Sequence, residues 1–168
     1  MIADAPERRV VVSDAGPLIS LGRLDLLTLL SALFASVHVP RQVFNECQAR
    51  PGQADAQRIR QAIETGALLL CEVEPVLVGA LDLGERAAIG HALALGAGLL
   101  ADDRAARHYA QAQGLDVIGT LGILVLAQRR ALIAEIKTPI QLLRDGGQRL
   151  SDGAVAAALA AAGESDDE

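Results

Sequence analysis

Residues 98–119 read GLLADDRAARHYAQAQGLDVIG. A short apolar run ends on two adjacent aspartates, Asp102 and Asp103. A helical stretch follows and is closed by Gly114, and a second apolar run, LDVIG, begins at once. Strand, helix and strand in such close succession describe a parallel pair joined by a crossover helix. The paired carboxylates pose the functional question. Like charges side by side repel, and desolvating them is costly. Water, an arginine or a metal ion must offset that cost.

Working outward, the same alternation recurs. VVVS ends in Asp14 and leads through Gly16 and Pro17 into an apolar helical pattern broken near Gly22. ASVHVP reads as a second strand and PRQVFNECQAR as a helix. ADAQRIRQAIETG is an amphipathic helix stopped by Gly66, and ALLLCEVEP is a third strand. LDLGERAAIGHALALG is a helix closed by Gly96. The strands are short and apolar on both faces, as in a parallel sheet covered by helices on both sides. GTLGILVLAQRRALI supplies one more helix. After Ile133 the pattern is wholly helical, in TPIQLLRDGG and SDGAVAAALAAAG, with Ser151 or Asp152 as N-cap. The expected architecture is an α/β fold: a three-layer α/β/α sandwich around a mostly parallel sheet. Residues 1–133 form the main domain, 134–163 a helical C-terminal extension packed on or beside it, and 164–168 an acidic tail.

Composition narrows the function. The chain has 168 residues, 51% hydrophobic and 21% charged, enough for one domain with a sizeable core. Aromatics are only 2%, so the core is aliphatic and base-stacking platforms are nearly excluded. The net charge of -6 argues against a generally basic nucleic-acid coat. The basic residues are nearly all arginine, with Lys137 the single lysine, and arginine suits bidentate phosphate contacts. Cys47 and Cys71 make no disulfide framework and lack metal-ligand spacing; both read as buried filler. His38 and His91 lie among apolar residues and read as packed or partly exposed histidines, not ligands, and His108 as exposed. No signal-peptide core and no run of transmembrane length are found, so the expectation is a cytoplasmic protein without membrane association.

In doubly wound sheets the functional residues collect at the carboxyl ends of strands. Asp14, Asp102 and Asp103 stand at such ends, Glu46 lies on the VFNEC helix and Glu85 at a helix start. Each alone suits a solvated or capping role. Converging, and with no His or Cys among them, they describe a site for a hard cation, Mg²⁺ or Mn²⁺. Such ions activate water and stabilise charge developing on a phosphodiester. Arg104 and Arg107, on the following helix, are placed for phosphate. Ser13, beside Asp14, is an auxiliary candidate.

At these residues the chain resembles the PIN-domain ribonucleases, a family that includes VapC-type toxins. VVSDAGPLI resembles the family's opening strand with its first aspartate, Asp14. VPRQVFNE resembles the segment carrying the second acid, Glu46. LDLGERAAIGHALALGAGLLADD resembles the block carrying the third and fourth, Glu85 and Asp103, with Asp102 auxiliary. DAGPLI, LGE, DDRAAR and GTLGIL together resemble a poorly characterised PIN-like subgroup with a helical C-terminal extension. Two departures stand out: Glu85 replaces the usual Asp, and Ala101 replaces a hydroxyl residue. The resemblance implies metal-dependent cleavage of single-stranded RNA with Mg²⁺ or Mn²⁺ held by the four acids. It also implies a homodimer and, in toxin operons, an inhibitory antitoxin partner. A catalytically impaired module that binds RNA or a protein partner is the alternative, in keeping with the net charge, Glu85 and Ala101. A phosphotransfer receiver domain fits poorly, because the acidic pair comes late and Lys137 has no strand-end context.

Overall fold

The computed structural model describes residues 9–165. Five strands form one sheet: β1 (Val10–Ser13), β2 (Ser36–Pro40), β3 (Leu69–Cys71), β4 (Gly98–Leu100) and β5 (Val117–Ile118). Their order is β3-β2-β1-β4-β5, and every neighbouring pair is parallel. The chain starts at the centre of the sheet, steps outward through β2 and β3, then crosses back to add β4 and β5 on the other side. The reversal lies between β1 and β4. It opens a crevice at their carboxyl ends, where doubly wound sheets place their ligands. Ser13 pairs with Leu100, and the Asp14 amide donates to the Leu100 carbonyl at 2.8 Å. That register sets Asp14 against the Ala101–Asp103 turn.

Helices α1 (Ala15–Arg23) and α2 (Thr28–Leu33) follow β1, α3 (Arg41–Cys47) and α4 (Ala54–Glu64) follow β2, and α5 (Leu83–Leu95) follows β3. Helix α6 (Arg104–Ala112) joins β4 to β5, and α7 (Thr120–Arg129), α8 (Lys137–Asp145) and α9 (Asp152–Ala161) complete the chain. This is the α/β sandwich expected from the alternation. The core is aliphatic: Leu18, Leu21, Leu30, Ile59, Leu99, Leu100, Ile123 and Leu124 are fully buried.

Local signals behave as read with two corrections. Gly96 adopts φ 63° at the end of α5, a left-handed turn that glycine enters without steric penalty. Gly22, read as a helix breaker, lies inside α1. A Cβ there would stand 3.0 Å from the Asp55 Cβ and 3.2 Å from its Cα, so the bare backbone is what lets α4 pack close. The break comes later, at Asp25 with φ 56°. The third strand is shorter than ALLLCEVEP, because β3 is an edge strand and the chain leaves the sheet after Cys71.

The Ser151 hydroxyl caps α9 by accepting from the Ala154 amide at 3.2 Å. Val155, Ala158 and Leu159 of α9 are buried in the same hydrophobic cluster as the sheet. Arg129 at the end of α7 donates twice to the Ala161 carbonyl, at 3.0 and 2.7 Å. Glu164, the first residue of the acidic tail, accepts from the amides of Ile136 and Lys137 at 2.8 and 3.2 Å. The last three tail residues lie outside the described ones.

Candidate functional site

Asp14 follows β1 directly and is the N-cap residue of α1, in extended conformation. It is only 7% exposed, and its Oδ1 is buried with no hydrogen-bond partner among the described residues. Burial pushes its carboxyl up to about 7, and the charges of Glu46, Asp82 and Glu85 push the same way against the opposing Ala15 amide. Among the described residues, no cation acts on an ionised carboxylate in this position. Ser13 turns away from the crevice, is fully buried, and donates its hydroxyl to the Asp14 carbonyl at 2.9 Å. It shapes the backbone beside the site.

Glu46 reaches the same pocket from α3. Val43 and Cys47 of that helix are buried, and the helical repeat puts Glu46 beside them, on the edge facing α5. Its Oε2 lies 2.8 Å from where a Cβ on the buried Gly84 would sit. Only a glycine leaves room for the carboxylate as it stands. Burial, then Asp82 and Glu85, raise its affinity for a proton.

Glu85 sits in the first turn of α5 within a capping box. The Glu85 amide donates to Asp82 Oδ1 at 2.8 Å, and the Asp82 amide donates to Glu85 Oε2 at 3.0 Å. Burial raises Glu85, the Asp82 amide opposes, and Asp82 and Asp103 add to the rise. Asp82 therefore belongs to the acidic pocket, acting on Asp14, Glu46 and Glu85 alike. Sequence reading passed over it, although Asp-x-x-Glu at 82–85 is the signature of the box that holds it there.

The adjacent aspartates divide. Asp103 caps α6, its Oδ2 accepting from the Ala106 amide at 3.0 Å, and faces Glu85 closely enough to raise it. Asp102 turns to the other side. Its Oδ1 accepts from the Thr120 amide at 2.7 Å and its Oδ2 from the Thr120 hydroxyl at 2.6 Å. A Cβ on Gly16 would come within 3.1 Å of that second oxygen. Their mutual repulsion is thus offset by two helix N-termini, α6 for one and α7 for the other. Ala101 is fully buried and offers no hydroxyl to the pocket, and the Thr120 hydroxyl is taken up by Asp102.

Arg107 donates to the Ala101 carbonyl at 3.1 Å, and a side chain at Gly119 would overlap its guanidinium. With Asp102, Arg104, His108 and Gln111 it lines a shallow hollow of about 300 Å³ beside the strand ends. The two predicted phosphate ligands are therefore neighbours, and His108 joins them.

The acidic donors are all oxygens, which suits a hard cation, and the unpartnered Oδ1 of Asp14 is an atom that such a cation would satisfy. Among the described residues, the acids are too widely spaced for three of them to bring oxygens within 4.8 Å of one another. Mg²⁺ typically takes one or two carboxylates and keeps several waters.

A family model described as PIN domain matches residues 10–164. The chain belongs to the PIN-domain family. PIN domains are in general nucleases and typically use divalent metal ions. A solved PilT N-terminus domain protein from the hyperthermophilic archaeon Sulfolobus solfataricus P2 is similar at 17% identity with a TM-score of 0.45, covering 70% of this PIN domain's chain and 92% of its own. Comparison with curated proteins gives no match. No helix among the described residues is long and apolar enough to cross a membrane.

Proposed function

We propose that this PIN domain is an Mg²⁺- or Mn²⁺-dependent endoribonuclease acting on single-stranded RNA. The observation that carries the proposal is the buried, unpartnered Asp14 oxygen at the sheet's reversal point, surrounded by Glu46, Asp82 and Glu85. Asp14 and Glu46 are the residues to hold the cation, with Glu85 and Asp103 on the open side of the pocket. When bound, the ion supplies positive charge and activates water for attack on a phosphodiester. Without it, Asp14 keeps a proton near neutral pH in place of the missing charge. The Asp82–Glu85 box fixes the direction of the Glu85 carboxylate, and Thr120 holds Asp102 clear of the pocket. Arg104, Arg107 and His108 form the surface on which an RNA phosphate would rest. The toxin role, the antitoxin partner and the homodimer belong to the same proposal and rest on the family resemblance.

A second reading, an RNA- or protein-binding module with impaired catalysis, draws on the capping bonds. Glu85 Oε2 and Asp103 Oδ2 are each already committed to a backbone amide. Incubation of the purified protein with a mixed single-stranded RNA pool separates the two. Cleavage that requires Mn²⁺ or Mg²⁺, stops with chelator, and is lost in folded Asp14→Asn and Asp103→Asn supports the nuclease. Metal-independent binding without cleavage supports the module.

A further inference from the structure

Three side chains that the sequence reading did not take as ligands, Cys71 read as buried filler and His38 and His91 as packed or partly exposed histidines, meet on the opposite side of the sheet's centre from β5. His38 lies on β2, Cys71 ends β3 and His91 is on α5. In the β2–β3 pairing, His38 stands opposite Leu69 and Pro40 opposite Cys71. Side chains alternate along a strand, so His38, Leu69 and Cys71 project from one face. That face carries α5, and the helix brings His91 down onto it. His38 Nδ1 lies 3.2 Å from His91 Nε2 and 3.2 Å from Cys71 Sγ. The two rings are tilted by 43° with centroids 5.3 Å apart, so their nitrogens converge without the rings stacking. All three ligand atoms fall within 4.8 Å of one another, the sole group of three His, Cys, Asp or Glu residues among the described ones to do so.

These spacings match a coordination sphere. Zinc bonds of about 2.0–2.1 Å to nitrogen and about 2.3 Å to sulfur imply ligand-to-ligand edges of roughly 3.3–3.6 Å in a tetrahedron. The two 3.2 Å edges at His38 need only a few tenths of an ångström of opening, and the third, between His91 and Cys71, lies within 4.8 Å. All three residues are half-buried. That leaves an approach from solvent and a fourth position for water or an outside ligand. Imidazole and thiolate together select a borderline or soft cation, in contrast to the oxygen donors around Asp14.

We propose that His38, Cys71 and His91 form a binding site for a borderline divalent cation of the Zn²⁺ class, separate from the acidic pocket. The imidazoles bind as neutral ligands. The thiol proton, now facing the Leu69 carbonyl at 3.4 Å, leaves to solvent as the thiolate takes the metal. The bound ion ties the short edge strand β3 to β2 and to α5, the helix whose first turn carries Glu85.

The full-length protein, stripped of metal and reduced, is titrated with Co²⁺ and then with Zn²⁺. The expected result is one equivalent of Co²⁺ with tetrahedral visible absorption and a near-ultraviolet thiolate-to-cobalt band, both abolished by Zn²⁺. Cys71→Ser removes the thiolate band, and His91→Gln weakens Zn²⁺ binding by more than about tenfold. Asp14→Asn leaves both signals in place, which keeps the outcome independent of the nuclease proposal. Circular dichroism verifies folding, and His38→Gln replaces either variant that fails it. Absence of the thiolate band in the folded wild type overturns the site. So does unchanged Zn²⁺ affinity in the folded variants, or loss of the signals in Asp14→Asn.

Discussion

Replacing Asp14 by asparagine tests the electrostatics of the acidic pocket directly. The Asp14 carboxyl shifts from 3.8 to about 7 on folding, with burial the largest cause. The folded state therefore holds the proton more tightly than the unfolded chain. Below about pH 4 both states are protonated and the group carries no penalty. As the pH rises from about 4 through about 7, the unfolded chain ionises first and stability is lost. A shift of roughly three units at 1.36 kcal/mol each amounts to about 4 kcal/mol, fully expressed by pH 8. Asparagine is nearly isosteric and cannot ionise, so it removes that loss. In chelator at pH 8 the variant should unfold above the wild type, by up to roughly 8–16 °C for a chain of this size. At pH 5 the gap should fall to about 1–2 kcal/mol. Glu46 and Glu85 are also raised, so a gentler slope of the same sign persists in the variant. Mn²⁺ narrows the gap: at a hundredfold excess over its dissociation constant it adds about 2.7 kcal/mol to the wild type and little to the variant, leaving the variant ahead at pH 8 by only about 1 kcal/mol. Calorimetric melts at the two pH values, with chelator and with Mn²⁺, measure all of this. An Asp14→Asn variant no more stable than the wild type at pH 8, with an unchanged pH slope, would refute the reasoning.

Two further substitutions probe how the pocket is held. Gly84→Ala places a Cβ 2.8 Å from Glu46 Oε2, and the flexible carboxylate is the part that yields. Alanine also favours the helix by about 1 kcal/mol, so melting should be unchanged or slightly higher while Mn²⁺-dependent RNA cleavage falls; full cleavage would mean that the position of Glu46 is immaterial. Thr120→Val removes the hydroxyl that donates to Asp102 at 2.6 Å and keeps the amide bond at 2.7 Å. It should destabilise the fold by about 1–3 kcal/mol in chemical denaturation, and a change below a few tenths would show that the bond is dispensable.

Much of the architecture is legible along the chain. Short apolar runs alternating with helical periodicity require a parallel sheet, because crossover helices bury both of its faces. Gly96 and Ser151 mark helix ends by local geometry alone, and they do so in the structure. Gly22 shows the limit of local reading: its reason is Asp55 on another helix, and no pattern within α1 announces it.

The aspartates were legible as strand-end carboxylates, conspicuous after an apolar strand, and Glu46 and Glu85 as acids on helices. Their meeting was decided by strand order. Placing β4 beside β1 brings Asp14 to the 101–103 turn, and packing α3 against α5 brings Glu46 to Asp82 and Glu85. Which of two adjacent aspartates faces that pocket depends on one residue of backbone rotation, and so on the helix N-terminus each one caps. His38, Cys71 and His91 lie on three elements with no shared spacing, and only the β2–β3 register and the seat of α5 join them. Periodicity is a property of neighbours along the chain and survives in the sequence. Convergence is a property of packing between distant segments, and it comes into being only when the chain has folded.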